Sequence, residues 1–243
     1  MTQAVDIVVP ALTLHDNTGT IDHEATRQYA KRAAATWVDY FILSGSTTRG
    51  QDLTPGQRAD ILDLWLDVTG PSRLLACCWD RADFDHAAKR SITPMATMRN
   101  LDGHEAALAF LRELPTGSYV YSHPMFGGSV FDAELAATAN REGILPAGGK
   151  VAKITKSAIT EAHRAAGAGF RLWDGSSRRI QASLDAGAAG VVATPLSAFD
   201  TDLPPKQPRL IQAVVDPVQA DLDALPGRPA RTAELLRRAA AYA

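Results

Sequence analysis

Short apolar runs alternate with amphipathic stretches along most of the chain. The runs at 7–14, 38–43, 73–79, 92–97, 119–123, 151–155, 170–173 and 190–194 read as strands. They are continuously apolar, as strands covered on both faces are. The stretches between them, at 24–35, 54–68, 106–113, 132–140, 158–166 and 178–186, carry helical spacing. The second of these has its full set of signals. Thr54 is the N-cap, Pro55 takes the first helical position and Gln57 completes a capping box. Ile61, Leu62, Trp65 and Leu66 form its apolar face, and Gly70-Pro71 ends it. The unit between Asp80 and Ile92 is short and predicts a stunted helix.

Eight β-then-α units predict an α/β fold, a (β/α)₈ TIM barrel over 1–199. A doubly wound open sheet is the alternative. The proline-rich stretch 200–208 reads as a surface connection. Beyond it, 210–225 and 232–243 read as helices packed on the outside of the barrel or at a subunit contact. They make 200–243 a short C-terminal extension.

Composition removes several classes. A net charge of −2 over 243 residues, with basic residues scattered, gives no pull toward nucleic acid or anionic membrane. No Gly-x-Gly-x-x-Gly follows the first strand and no Walker-type loop is present, which argues against nucleotide binding. Cys77 and Cys78 are adjacent and predict neither a disulfide framework nor a metal site. The first residues lack a basic segment followed by an apolar core, and no apolar run approaches the length of a membrane span. The expectation is a cytoplasmic protein.

Candidate chemistry centres on Tyr121 and Lys153, each in a short apolar run. A lysine inside a buried strand is costly without a partner or a role, and desolvation favours its neutral, nucleophilic amine. A phenol beside it could move the protons that imine chemistry needs. In a barrel the chemistry lies at the C-terminal strand ends, where 44–48 and 173–176 also fall. Strand alternation groups 151, 153 and 155 on one face and 150 and 156 on the other. The six-residue step from Lys153 to Ile159-Thr160 favours Lys153, whereas counting back from Phe170 favours Lys150. Tyr119 shares the face of Tyr121 and is a core alternative to it. His123 points the same way and reads as a structural histidine or a substrate contact. Arg49 would contact an anionic substrate group or pair with a surface carboxylate.

These segments resemble a family. Gly45-Ser46-Thr47-Thr48-Arg49-Gly50, running on to Leu53-Thr54, is similar to the Gly-Thr/Ser-Thr-Gly-Glu-x-x-x-Leu-Ser/Thr loop of the dihydrodipicolinate synthase / N-acetylneuraminate lyase family. Tyr121-Ser122-His123-Pro124 resembles its Tyr-Asn-x-Pro. Gly175, a helix and then Gly187-Ala-Ala-Gly190 resemble its late glycine pattern, and Thr13 to Asp22 resembles its opening segment. The likeness covers roughly 7–199, in a divergent and shortened form. It implies a usually oligomeric barrel, a homodimer or homotetramer, whose lysine forms an imine with pyruvate or another 2-keto acid. Carried onto this chain, Lys153 would be the imine lysine and Tyr121 the proton-transfer phenol. Ser46 and Thr47 would hold the keto-acid carboxylate, and Gly175 and Val192 would line the pocket.

The departures matter. Thr48 and Arg49 stand where the loop has Gly-Glu, Phe126 where the synthases carry an arginine, and Met95-Ala96 where they have Tyr-Tyr. The synthase reaction itself is therefore not expected. The expectation is a class I aldolase or lyase joining or cleaving a 2-keto acid and an aldehyde, with a covalent lysine imine in place of a cofactor. A hydratase-aldolase or dehydratase using the same imine, and a non-catalytic keto-acid-binding barrel, are the rivals.

Overall fold

The structure, a computed structural model, describes residues 5–241. Residues 1–4, part of the segment read above for a leader, and 242–243, the end of the last expected helix, lie outside the described residues. Among the described residues, eight parallel strands close a barrel in sequence order: β1 (Asp6–Pro10), β2 (Tyr40–Leu43), β3 (Leu74–Cys78), β4 (Thr93–Thr97), β5 (Tyr119–Ser122), β6 (Gly148–Val151), β7 (Arg171–Asp174) and β8 (Gly190–Val192). Closure comes from β8 pairing with β1, with Asp6 opposite Gly190, so the open-sheet alternative is excluded. Around the barrel run α1 (His23–Ala34), α2 (Pro55–Thr69), α3 (Arg81–Lys89), α4 (Gly103–Arg112), α5 (Ala133–Arg141), α6 (Lys156–Ala166) and α7 (Ile180–Asp185). The chain ends in α8 (Pro208–Asp223) and α9 (Gly227–Ala240). No helix among the described residues is long and apolar enough to cross a membrane.

Alternation along each strand divides the core in two. Val8, Ile42, Cys77, Met95, Tyr121 and Trp173 fill the barrel. Val9, Phe41, Leu43 and Cys78 pack outward against α1 and α2. The two cysteines are free and buried, with Cys77 inside and Cys78 outside. Desolvation pushes the Cys77 thiol up to about 12. At the barrel floor the Asp6 carboxylate accepts from Trp173 Nε1 at 2.8 Å and Arg171 Nε at 2.9 Å. Trp173 stacks on Tyr119, with ring centroids 4.6 Å apart. Tyr119 thus has the structural part of the two tyrosines on its strand.

The strand that departs from expectation is β6. It begins at Gly148 and ends at Val151, not over 151–155. Two glycines opening a strand weaken the pattern that marks one. They are required by packing: a Cβ on Gly148 would lie 2.5 Å from the Tyr119 ring, and one on Gly149 would lie 2.7 Å from Val120 Cγ2. The displacement reverses the face assignment. Val151 packs outward, while Ala152 joins the barrel interior.

Helix α8 packs against α7 on the outside of the barrel, as expected, while α9 lies there only in part. Helix α9 reaches over the C-terminal mouth of the barrel rather than lying wholly on its outside. Thr232 Oγ1 donates to the Thr47 carbonyl at 2.8 Å, and Arg228 Nη2 donates to Ser46 Oγ at 2.6 Å.

Helix α2 begins as its sequence signals require, with the Thr54–Gln57 capping box formed. Its Arg58, only 3% exposed, ties three segments together. Nε donates to Asp83 Oδ1 at 2.8 Å and Nη1 to the Gly50 carbonyl at 3.2 Å. Further bonds reach Leu53 O and the Asp80 carboxylate. Asp83 in turn accepts from the backbone N–H groups of Trp79 and Asp80. Removing one partner of such a buried pair leaves an uncompensated charge. Arg58→Met is expected to lower unfolding free energy by about 3–5 kcal/mol in urea titration. A loss under ~1 kcal/mol would show that the loop after β2 is held by other contacts.

Candidate active site

The loop after β2 is the first wall of the site. Ser44 and Arg49 both take left-handed backbone, at φ 52° and 56°. Between them Ser46–Thr48 form a buried 3-10 turn. A Cβ on Gly50 would lie 1.7 Å from the Ser44 carbonyl oxygen, so this return of the chain needs glycine. Trp79 Nε1 donates to the same carbonyl at 2.8 Å. The turn is therefore rigid, and it aims Ser46 at Tyr121. Ser46 Oγ and Tyr121 Oη are 2.6 Å apart. A guanidinium only donates, so Ser46 Oγ accepts from Arg228 and keeps its own proton to share with the phenol.

The second wall is the β5–β6 pair. Tyr121 stands directly opposite Lys150 in the register. Lys150 is 6% exposed, and its Nζ lies 4.1 Å from the centroid of the Tyr121 ring. Phe126 packs edge-on against the same ring at 4.8 Å and against Trp79 at 5.5 Å. It backs the Tyr121 ring with an apolar surface. No carboxylate pairs with Lys150 among the described residues, so its ammonium form would rest only on the ring face.

Lys153 is elsewhere. It follows the strand, is exposed, and has left-handed backbone at φ 62°. It lines the outer part of the cavity, while Lys150 carries the buried amine. The expectation of a lysine inside a strand thus holds for Lys150, and the placement of Lys153 is corrected by the three-residue displacement of β6.

The remaining expected residues divide. Thr47, His123, Gly175 and Val192 line one cavity of about 460 Å³ together with Tyr121 and Lys150. A Cβ on Gly175 would lie 2.7 Å from Ala152 Cα, so glycine lets β7 close against the turn after β6. His123 Nδ1 accepts from the Met125 N–H at 2.9 Å, which puts the ring proton on Nε2. Burial, and then the charges of Lys150, Arg228 and Lys153, hold His123 down to about 4. It is neutral at physiological pH. Arg49 is turned away: its side chain is 76% exposed and its Nε sits 2.5 Å from Asp52 Oδ2. Of its two readings the structure shows the pair with a surface carboxylate, because the left-handed residue that closes the turn points its side chain outward.

One group, from α9, has no place in the site as the sequence alone describes it. Arg228 and Thr232 come from α9 and line the cavity with Leu235. Their i, i+4, i+7 spacing marks a common face, but spacing does not say what that face covers. Asp174, at the end of β7, accepts from Ser183 Oγ at 2.7 Å and from the Ser176 N–H at 3.0 Å. Desolvation raises its carboxyl against those bonds.

The sequence matches no protein-family model and no curated protein. Solved structures do share the fold. The 2-keto-3-deoxygluconate aldolase from Picrophilus torridus superposes with a TM-score of 0.78 at 17% identity, covering 98% of this chain and 93% of that one. The N-acetylneuraminate lyase (sialic acid aldolase) from Aliivibrio salmonicida gives 0.76 at 14% identity, covering 100% and 98%. A putative dihydrodipicolinate synthase family protein from Coccidioides immitis gives 0.70 at 19% identity, covering 98% and 78%. At these identities the likeness is one of fold: the chain carries the barrel on which dihydrodipicolinate synthase-type aldolases and lyases are built.

Proposed function

We propose that the protein is a class I aldolase or lyase acting on pyruvate or a related 2-keto acid through an imine on Lys150. The observation that carries this is the pairing of a buried lysine with Tyr121 across adjacent strands at the mouth of the barrel. The aldolase and lyase titles among the fold relatives agree with it.

Lys150 Nζ, as the neutral amine, attacks C2 of the keto acid, and the carbonyl oxygen takes up a proton. Loss of that oxygen as water leaves an iminium, an electron sink for the bond at C3. In the cleavage direction the C3–C4 pair flows into the iminium to give an enamine. The C4 hydroxyl releases its proton to Tyr121 as it becomes an aldehyde. Protonation at C3 and hydrolysis return the amine. Tyr121 passes protons to and from Ser46, 2.6 Å away. Ser46 and the backbone of Thr47–Thr48 hold the keto-acid carboxylate so that C2 faces the amine. His123, neutral and with Nε2–H free, contributes a donor rather than a base. The imine is itself the electron sink, so this chemistry calls on no organic cofactor or metal.

Borohydride reduction in the presence of pyruvate is expected to fix a carboxyethyl group on the peptide containing Lys150, and Lys150→Met to lose both adduct and turnover while remaining folded. An adduct mapped to Lys153, or turnover retained in Lys150→Met, would refute the assignment. Tyr121→Phe should lower kcat by about 10²–10⁴-fold with far less effect on keto-acid affinity; steady-state kinetics check this, and an unchanged kcat removes the phenol from the mechanism. With His123 held near 4, its folded form stays largely unprotonated between pH 8 and 5. The pH–rate profile of His123→Gln should therefore keep the wild-type shape across that range, and a lost inflection near 6.5 would show that the imidazole titrates in turnover.

A further inference from the structure

Beyond the Tyr121–Lys150 pair the same cavity is lined by Lys153, from the turn after β6, and by Arg228, from the first turn of α9. The other cations there have acids: Arg178 and Arg231 share Asp223, and Arg179 stands by Asp174. Among the described residues Lys153 and Arg228 have no carboxylate partner; Arg228 reaches only Ser46 Oγ and Met125 Sδ. Two cations lining one space, neither with a carboxylate partner of its own, repel each other, and an anion bound there offsets that cost. Lys153 is also held in left-handed backbone, which non-glycine residues adopt reluctantly and which clusters at ligand sites. His123 lines the same cavity and, half-buried and facing both charges, remains neutral. A cavity of about 460 Å³ leaves space past a three-carbon keto acid seated at Lys150.

We propose that Lys153 and Arg228 form a second anion subsite at the mouth of the cavity, and that the substrate is a 2-keto acid bearing a carboxylate or phosphate at its far end. This deepens the reading of Lys150 as the imine lysine and rests on it. The subsite arises within one chain, from a helix that crosses its own barrel mouth. It takes the part that the sequence reading had offered to Arg49.

The test compares imine trapping on 2-oxoglutarate and 2-oxopentanoate, equal in chain length and different in end group. Wild type is expected to favour 2-oxoglutarate, and Arg228→Gln and Lys153→Asn each to cut that preference about tenfold. Asparagine tolerates the left-handed backbone of position 153, so the second variant separates charge from fold. An unchanged preference overturns the subsite. So does equal weakening toward both acids, which would assign Arg228 to the near carboxylate beside Ser46. Calorimetric titration of the unmodified protein with inorganic phosphate and with succinate reads the subsite without any imine. Tighter phosphate binding that is lost in Arg228→Gln points to a phosphorylated substrate, and tighter succinate binding lost in the same way points to a dicarboxylate. Failure of wild type to trap any keto acid counts against Lys150 alone. The two titrations then decide the subsite, and binding of neither anion rejects it.

Discussion

Strand β6 can lie against β5 only because Gly148 and Gly149 carry no side chains. That contact sets the register in which Tyr121 faces Lys150, and the register sets the amine over the ring. Any larger residue at either glycine would push the strands apart or shift the pairing, and a one-residue slip would turn Lys150 outward. The chemistry available to the site depends on this close approach more than on any single polar contact.

The opposite wall is held by a different kind of constraint. The turn after β2 combines two left-handed residues with a glycine packed onto a carbonyl, which costs backbone freedom. Arg58 offsets that cost from beneath, joining Gly50 and Leu53 to the acids at the start of α3. A rigid turn places Ser46 within hydrogen-bond reach of Tyr121 before any ligand arrives, and preorganised groups need little reorganisation during reaction. The two walls meet at the phenol, which touches an apolar ring, a hydroxyl and an amine at once.

The C-terminal helices change the character of the mouth. A barrel alone would leave the site open to water. Helix α9 instead brings a guanidinium onto Ser46 and a hydroxyl onto the Thr47 carbonyl. It also adds positive charge to a cavity already holding two lysines. A site of this sign draws anions toward it, and its charges add to the burial that keeps His123 uncharged.

The order of strands and helices was legible in the chain because each unit must bury an apolar face, and burial leaves a periodic trace. The Thr54 cap, the buried pair of unbridged cysteines and the inward Tyr121 were legible for similarly local reasons. The lysine was not. Glycines that make β6 possible also erase its signature as a strand, so the apolar pattern starts three residues late and puts Lys153 in the buried position that Lys150 occupies. Nor could spacing alone turn Arg49 away or bring Arg228 in, since both depend on where a turn and a distant helix come to rest. Sequence determines which faces must be buried; which groups then meet inside is decided by packing between segments far apart in the chain.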